Sequence, residues 1–164
     1  MSTPNLGKIA EARLQTWLDH PEKGYCLDRI KDQMSMYAHS TNICDYTLFK
    51  APFFYYIESK ETETDRFDFS KIKGFPDGDN KTQFGGLLEK SKITNVFAVI
   101  VVCFSTHKRS FIFNINEIDR IYKEGKKSIN INDMSGISYR EIETIPNKRK
   151  KYLDFDYTGD FCLS

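Results

Sequence analysis

The segment DYTLFKAPFFYYIESK, residues 45–60, contains two short apolar runs separated by Lys50, Ala51 and Pro52. Runs of this length that are rich in aromatic residues and bounded by a proline are typical of β-strands joined by a tight loop. The segment therefore predicts a β-hairpin, with strands over residues 43–49 and 53–60.

Acidic and basic side chains stand at the outer end of this predicted hairpin. Asp45 opens the first strand, and Glu58, Ser59 and Lys60 end the second, with twelve residues between Asp45 and Glu58. Because the chain runs along one strand and returns along the other, antiparallel pairing would bring the two carboxylates side by side at one end of the sheet. Strand alternation places Glu58 and Lys60 on one face, while Ser59 offers its backbone carbonyl.

Two carboxylates and a carbonyl form the oxygen-rich ligand set that Mg²⁺ prefers, with water completing the coordination. Lys60 would then orient a water nucleophile or stabilise the charge that develops on a phosphoryl group. The sequence also permits a simpler interpretation, in which Glu58 and Lys60 form a solvated ion pair at the end of a strand.

Two residues from predicted helices can be assigned to the same site. Glu11 lies in a helix that Asn5 would cap, on the face shared by Leu14 and Leu18, so it would approach the site from above the sheet. Gln83, in a later helix, would hydrogen-bond the attacking water or a phosphate. For both residues the alternative is an ordinary exposed position on a helix surface.

The remaining pattern predicts one mixed α/β domain over residues 1–164. Residues 94–104, rich in valine and isoleucine, predict a central strand buried on both faces, with residues 110–115 as its partner. The order of helices and strands implies a mixed sheet flanked by helices. The other predicted elements are a helix ending near Leu18, a helical or irregular segment over 26–37, a mainly loop segment over 61–80 with a short turn at 69–72, and helices over 82–91 and 115–123.

Composition excludes several classes of protein. With 164 residues, of which 40% are hydrophobic and 14% aromatic, the chain can build a packed core, which argues against global disorder. The longest apolar run, residues 96–104, is too short for a membrane helix, and the first residues lack a signal-peptide pattern, so a cytoplasmic location is expected. The four cysteines show neither a zinc-binding spacing nor a disulfide framework.

The charge is nearly balanced but unevenly distributed. A net charge of +1 argues against a protein that coats DNA through a strongly basic surface. Residues 121–151 nevertheless hold eight basic and four acidic side chains. Basic clusters bind phosphates independently of base sequence, so this segment predicts a DNA-contacting patch, with a solvated loop as the alternative. The predicted DNA contacts are Lys126, Lys127, Lys148, Arg149, Lys150 and Lys151.

The acidic and basic residues of the hairpin resemble the active-site motif of the PD-(D/E)xK nuclease superfamily, here without its proline. An ordered set of further motifs resembles the RecU family of bacterial Holliday junction resolvases, over most of the chain from Asn5 onward. The matching motifs are Asn5-Leu6-Gly7 before Glu11, Asp45-Tyr46, Glu58-Ser59-Lys60-Glu61-Thr62, Gln83, the strand at 99–104, Lys126-Lys127-Ser128-Ile129 and Leu153-Asp154-Phe155-Asp156-Tyr157.

This resemblance implies a restriction-endonuclease-like fold and a Mg²⁺-dependent endodeoxyribonuclease, with Mn²⁺ as an alternative ion and no nucleotide cofactor. The metal ligands would be Asp45, Glu58 and the Ser59 carbonyl. The catalytic set would also include Lys60, Glu11 and Gln83. A homodimer would cut a four-way junction by paired nicks in recombination and repair, leaving 5′-phosphate and 3′-hydroxyl ends.

The chain departs from the family pattern at two places. Leu6 stands where the family has arginine, which removes one expected phosphate or junction contact. The segment that forms a protruding stalk in the family is short here, with residues 29–34 as the candidate remnant, and Ser40 and Thr41 are minor candidates for phosphate binding. A diverged, phage-borne member would have these features. They leave two alternatives: a restriction-like or general phage DNA endonuclease of the same fold, and a catalytically silent DNA-binding module.

Overall fold

The computed structural model describes residues 4–31 and 42–161. The α-helices are α1 (Leu6–Leu18), α2 (Gln83–Lys90) and α3 (Ile115–Lys123). The strands are β1 (Cys26–Arg29), β2 (Tyr46–Lys50), β3 (Phe53–Thr62), β4 (Arg66–Asp68), β5 (Val96–Phe104), β6 (Arg109–Asn114), β7 (Ser128–Asn130), β8 (Arg140–Ile142), β9 (Thr144–Pro146) and β10 (Phe155–Tyr157). Single turns of 3₁₀-helix cover Pro21–Lys23, Phe69–Lys71 and Ser105–His107.

A six-stranded mixed sheet forms the centre of this structure, in the order β1-β2-β3-β5-β6-β8. The predicted hairpin is present, since β2 pairs antiparallel with β3 and Tyr46 lies opposite Ile57. β3 runs parallel to β5, with Lys60 opposite Val102, whereas the other pairs in this sheet are antiparallel. Two small antiparallel ribbons, β4–β7 and β9–β10, complete the strand pairing. The prediction of a mixed α/β sheet is confirmed.

Helices cover both faces of the sheet. On one face, α2 and α3 pack in a core that includes Ile100 and Val102 of β5. On the other face, α1 and β10 pack in a second core that includes Val99 and Val101. Because successive side chains of a strand point to opposite faces, β5 is buried on both sides, as its sequence predicts. The central strands are thereby fixed between two apolar layers.

The first helix follows its local sequence signals. Asn5 caps α1, and its side-chain oxygen accepts a hydrogen bond from the Lys8 amide at 3.1 Å. Leu14 and Leu18 are fully buried against the sheet, and the chain leaves the helix shortly before Pro21. Within residues 4–31 and 42–161, no helix is both long and apolar enough to cross a lipid bilayer.

The start of α2 is fixed by a cap and by close packing. The Thr82 hydroxyl accepts a hydrogen bond from the Gly85 amide at 3.3 Å, which caps the helix. A Cβ atom at Gly85 would overlap the carbonyl oxygens of Gly78 and Asp79, so only glycine lets α2 approach the preceding loop this closely. These contacts hold Gln83, the first residue of α2, in one place above the sheet.

The prediction of a helical or irregular segment over residues 26–37 is wrong at its start. Residues 26–29 form β1, which pairs with β2 at the edge of the sheet. An edge strand buries little, and of its four residues only Leu27 is even half-buried. Its sequence therefore lacks the apolar alternation that predicts a strand. Residues 32–37 of that segment lie outside the described part of the chain.

Several strand assignments also differ from the predictions. β2 begins at Tyr46, so Asp45 lies immediately before the strand rather than opening it. β3 continues through Thr62 because residues beyond Lys60 keep pairing with β5. Residues 66–68, for which the sequence predicts a loop, form β4 by pairing with β7, a long-range contact that local sequence does not encode. The predicted turn near residue 70 is present as a 3₁₀ turn.

Candidate active site

Asp45 is held between two strands immediately before β2 begins. Its amide donates to the Ile57 carbonyl oxygen at 3.0 Å, and its own carbonyl oxygen accepts from the Ile30 amide at 2.8 Å. Its carboxylate Oδ2 accepts a hydrogen bond from the Ser59 amide at 2.8 Å. Both the backbone and the side chain of Asp45 are therefore fixed beside the part of β3 that carries Glu58.

Glu58 and Lys60 lie on the face of the sheet that α2 covers, where they meet Gln83. Glu58 Oε1 accepts from Lys60 Nζ at 2.7 Å and from Gln83 Nε2 at 2.8 Å. Gln83 Oε1 in turn accepts from Lys60 Nζ at 3.1 Å. The three side chains form a closed hydrogen-bonded triangle, in which Glu58 and Gln83 are only 2% and 6% exposed. The structure thus brings Asp45, Glu58, Lys60 and Gln83 together.

The pKa values of both carboxyl groups are raised. Burial, and next the negative charge of Asp45, raise the pKa of Glu58 to about 7 against the opposing effect of Lys60. Burial also raises the pKa of Asp45, and the hydrogen bond from the Ser59 amide lowers it. Two buried carboxyl groups therefore face one ammonium group, which leaves an excess of negative charge when both are ionised.

The site has the features of a cation-binding position. Glu58 Oε2 is buried and receives no hydrogen bond, although a buried carboxylate oxygen normally has a donor or a cation beside it. The amide and carbonyl of a strand residue point in the same direction, so the Ser59 carbonyl is directed, like its amide, toward the side of Asp45. Two carboxylates and a carbonyl fit a hard divalent cation.

Among the described residues, no third acidic, histidine or cysteine side chain joins Asp45 and Glu58 as a metal ligand. Among residues 4–31 and 42–161, no three His, Cys, Asp or Glu side chains lie close enough together to hold a metal ion. A cation bound by Asp45, Glu58 and the Ser59 carbonyl would keep several water molecules. Mg²⁺ is usually bound in this way, because it loses its water reluctantly and takes few ligands from the protein.

Glu11 lies at the exposed border of this cluster. The Tyr46 hydroxyl donates to the Glu11 carbonyl oxygen at 3.1 Å, which fixes α1 over β2 at this residue. The Arg29 Nη2 atom lies 3.4 Å from the Glu11 Oε2 atom, so the two side chains form an ion pair. Burial and the charge of Asp45 raise the pKa of Glu11, whereas Arg29 lowers it. Glu11 is therefore within electrostatic range of Asp45 without contacting it directly, and its predicted role in the site stays a prediction.

Arg29 is a site residue that the sequence does not predict, since it is expected there only as part of the stalk remnant. Its guanidinium is half-exposed, and its charge lowers the pKa of both Glu11 and Asp45. Arg29 lies opposite Tyr46 in the pairing of β1 with β2, which places it next to Asp45. This position can be predicted only if β1 is recognised as a strand. Residues 32–34 of the remnant, and Ser40 and Thr41, lie outside the described residues.

The predicted DNA-contacting residues do not join the acidic cluster. Lys126 and Lys127 are exposed just before β7, and residues 148–151 are exposed in the loop between β9 and β10. In that loop Lys150 forms an ion pair with Asp156 at 2.6 Å. The loop is anchored to α1, because Arg13 donates to the Tyr152 carbonyl oxygen at 2.7 Å. The basic residues therefore form two separate surfaces.

One of three comparisons with known proteins bears on the fold. No protein-family model matches the chain, and no curated protein matches it. Among the solved structures that match is Hjc from Archaeoglobus fulgidus, a Holliday junction resolvase from an archaeal hyperthermophile. It aligns with a TM-score of 0.52 and 15% sequence identity, over 77% of this chain and 89% of the Hjc chain.

The two chains share a fold. This similarity confirms the predicted fold class, a mixed α/β sheet flanked by helices, which has six strands in this structure. Hjc is an archaeal resolvase, so the more specific resemblance to the RecU family stays a hypothesis.

Proposed function

We propose that this protein is a Mg²⁺-dependent endodeoxyribonuclease that resolves four-way DNA junctions, as the resemblance to RecU implies. The observation that carries the proposal is the buried pair Asp45 and Glu58, with an unpartnered carboxylate oxygen and an ammonium group beside it. The fold shared with a Holliday junction resolvase supports the same conclusion. Recombination and repair are the processes in which such an enzyme acts.

Asp45, Glu58 and the Ser59 carbonyl are the groups that would hold the ion, with Mn²⁺ as an alternative to Mg²⁺. When bound, a divalent cation supplies positive charge against the scissile phosphate and lowers the pKa of nearby water. Asp45 is preorganised for this role because three hydrogen bonds fix its backbone and carboxylate. Glu58 is preorganised because Lys60 and Gln83 both hold its Oε1 atom, which leaves Oε2 for the ion.

Lys60 acts on the reacting groups, and Gln83 positions Lys60 through a hydrogen bond. In the proposed reaction a water oxygen attacks phosphorus in line, the bond from phosphorus to the 3′ oxygen breaks, and the products carry 5′-phosphate and 3′-hydroxyl ends. The Lys60 ammonium orients the water and stabilises the negative charge on the phosphoryl oxygens. Gln83 holds Lys60 in position, since its Oε1 accepts from Lys60 Nζ. Glu11 keeps Arg29 at the border of the site, where its guanidinium can bind a phosphate.

The partner that we propose is branched DNA bound by a homodimer. Two symmetric nicks need two active sites, which a twofold dimer supplies. The exposed basic residues would bind phosphates of the junction arms, with no dependence on base sequence. These residues are Lys126, Lys127, Lys148, Arg149, Lys150 and Lys151.

Incubation with Mg²⁺ and three labelled DNAs tests the proposal: a four-way junction, a linear duplex of matched sequence and a single strand. We expect symmetric nicks in the junction and little cutting of the other two. Equal cutting of the linear duplex would support a general endonuclease of the same fold instead. Binding without cutting of any substrate would support a silent DNA-binding module and contradict the proposed activity.

A further inference from the structure

Four lysines form an exposed basic surface on the α2 side of the molecule, here called the lysine patch. It consists of Lys71, Lys73, Lys126 and Lys127. Lys71 and Lys73 lie on either side of the buried Ile72, and Lys126 and Lys127 precede β7. All four side chains are exposed, and within the described part of the chain none forms an ion pair.

The segments that carry the two halves of the lysine patch are connected to each other. The Phe69 amide donates to the Lys127 carbonyl oxygen at 3.1 Å, which extends the pairing of β4 with β7. Farther along the same loop, the Phe75 ring packs edge-on against Tyr122 of α3, with 4.7 Å between ring centroids. The loop that carries Lys71 and Lys73 is therefore attached at both ends to the segment that carries Lys126 and Lys127.

The lysine patch begins at the candidate active site. The Lys73 amide donates to Gln83 Oε1 at 3.2 Å, and the same oxygen accepts from Lys60 Nζ at 3.1 Å. Gln83 also holds Glu58 through its Nε2 atom. A phosphate chain that has one phosphate at the acidic cluster can thus continue directly onto the patch.

Among the described residues no acidic side chain forms an ion pair with the lysine patch, and Asp68 at the end of β4 lies 3.9 Å from Arg66 instead. The acidic side chains of α3, which precedes Lys126, already contact basic partners on the same helix: Glu117 and Glu124 contact Arg120, and Asp119 contacts Lys123. By contrast, the loop between β9 and β10 on the α1 side has Lys150 paired with Asp156. The lysine patch therefore offers the larger set of unpaired cations next to the site.

We infer that the lysine patch binds the phosphate backbone of a double-stranded DNA arm adjoining the cleaved phosphate. This inference rests on the proposed function and adds Lys71 and Lys73 to the residues that contact DNA. Lysines bind phosphates as flexible point charges, so the contact is sequence-independent and strongly dependent on salt. The DNA arm then passes from the acidic cluster over Gln83 and onto the ribbon of β4 and β7.

The test is the binding of a fluorescent four-way junction, and of one of its duplex arms, in EDTA, where no metal-dependent cleavage interferes. We compare the wild type with Lys71→Ala/Lys73→Ala. Removing one lysine that binds a phosphate should weaken DNA binding about fivefold near 0.15 M salt and reduce the slope of log affinity against log salt by about 0.9. The double variant should therefore bind about 25-fold more weakly, with a slope lower by about 2.

A matched control removes the same charge away from the patch. Lys23→Ala/Lys92→Ala changes one lysine that faces Asp160 and one that faces Glu89, and should leave affinity and salt slope nearly unchanged. Thermal unfolding of both double variants verifies that the fold is retained. The inference is overturned if Lys71→Ala/Lys73→Ala binds both DNAs as tightly as the wild type and with the same salt slope. That result would favour an acidic protein as the ligand of the patch.

Cleavage in Mg²⁺ separates this inference from the proposed function. If the wild-type protein binds DNA through the patch but does not cut it, the inference is supported and the proposed nuclease activity is overturned. Wild-type protein that cuts junctions while the double variant binds normally overturns the inference and leaves the nuclease intact. A wild type that binds neither DNA in EDTA overturns the inference, and one that also cuts neither in Mg²⁺ overturns both.

Discussion

At the scale of single residues, the central feature is a buried carboxylate oxygen of Glu58 that has no hydrogen-bond donor. This side chain is almost completely buried, yet one of its two oxygens receives no hydrogen bond. An unsatisfied buried acceptor costs about 1–3 kcal/mol of stability, and more when it is charged. Such a cost persists in a folded protein where the group serves a function. A cation between Glu58 and Asp45 would remove it.

The first prediction concerns Glu58→Gln. This change keeps the shape of the side chain but removes the charge and one oxygen, so cleavage in Mg²⁺ should fall by about 10²–10³-fold or more, measured on a labelled junction. Binding of the junction in EDTA should stay within about twofold of the wild type, because the phosphate contacts lie elsewhere.

Glu63→Gln is the matched control, since Glu63 is exposed just beyond β3. It should cleave at the wild-type rate. If Glu58→Gln cleaves as fast as Glu63→Gln, the assignment of Glu58 is wrong.

The second prediction concerns Gln83→Ala. Gln83 touches Glu58 and Lys60 and positions both, so its removal should lower the cleavage rate by about 10–100-fold, as is usual for residues that orient metal ligands. The rate in saturating Mg²⁺ and the Mn²⁺ affinity should both be measured. Gln15→Ala in α1 provides the control. A Gln83→Ala variant with an unchanged rate and an unchanged Mn²⁺ affinity would show that Gln83 has only a packing role.

Part of the site could be predicted at this scale. The spacing of Asp45 from Glu58, together with strand alternation, was enough to place Asp45, Glu58 and Lys60 near one another, because a hairpin links sequence distance to spatial distance. The contact of Gln83 depends on how α2 packs, and the position of Arg29 depends on an edge strand with little apolar pattern. The local sequence determines neither the packing angle of α2 nor the pairing of the edge strand β1.

At the scale of secondary-structure elements, α2 is positioned by a glycine. The third prediction is that Gly85→Ala destabilises the protein by about 1–3 kcal/mol in urea unfolding, although alanine is the better helix former, because its Cβ would overlap two carbonyl oxygens. The displaced helix would also move Gln83 and lower the cleavage rate.

Gly7→Ala in α1 is the control for that variant. A Cβ there meets only the flexible Asn5 side chain, at 3.3 Å, so stability should change little. Equal stability of Gly85→Ala and the wild type would contradict the packing described for α2.

The fourth prediction concerns α3 and the loop after β7. Glu117 accepts hydrogen bonds from Arg120 and from the Ser138 amide, and the bond from Arg120 is the main cause that lowers its pKa below the ordinary value of 4.5. A carboxyl group whose pKa is lower in the folded state than in the unfolded state stabilises the folded protein at pH values above its unfolded-state pKa. That contribution is lost as pH falls through the folded pKa.

Glu117→Gln should therefore lower the free energy of unfolding by about 1 kcal/mol near pH 7, and the difference from the wild type should shrink below about pH 4.5. Urea unfolding at several pH values checks this. Glu124→Gln, which removes an exposed partner of the same Arg120, should cost less than about 0.5 kcal/mol. If the difference in unfolding free energy between Glu117→Gln and the wild type grows as pH falls, the pKa of Glu117 is not lowered by folding.

The elements themselves were mostly predictable. The hairpin, β5 and the three α-helices follow from apolar runs, capping residues and the helical period, because each buries a regular pattern against the sheet. β1, β4 and the end of β3 were not predicted. Each of these exists through pairing with a strand distant in sequence, and the energy of that pairing comes from the partner rather than from local propensity.

At the scale of the whole molecule, the basic side chains lie on two separate surfaces. The lysine patch is linked to the acidic cluster through the Lys73 amide and Gln83, whereas the basic loop between β9 and β10 is anchored to α1. A nearly neutral chain can therefore bind a polyanion locally while holding a cation at the point of cleavage. The assignment of all of residues 1–164 to one domain, and of a homodimer as the active form, stay predictions.

The fifth prediction is a linkage between metal binding and folding. An ion that binds only the folded state stabilises it by about 2.7 kcal/mol at one hundred times its Kd, which corresponds to about 5–10 °C in Tm for a chain of this length. Mn²⁺ and Mg²⁺ should raise the Tm of the wild type, measured against EDTA. Asp45→Asn and Glu58→Gln should show almost none of this shift, and an equal shift in all three proteins would place the ion elsewhere.

The most direct test of the central claim is the position of the ion itself. Crystals grown with Mn²⁺ and measured for anomalous scattering should show one strong peak in contact with the carboxylate oxygens of both Asp45 and Glu58. The peak should disappear in Glu58→Gln. Strong anomalous density at other residues, with none between these two carboxylates in the wild type, would contradict the account.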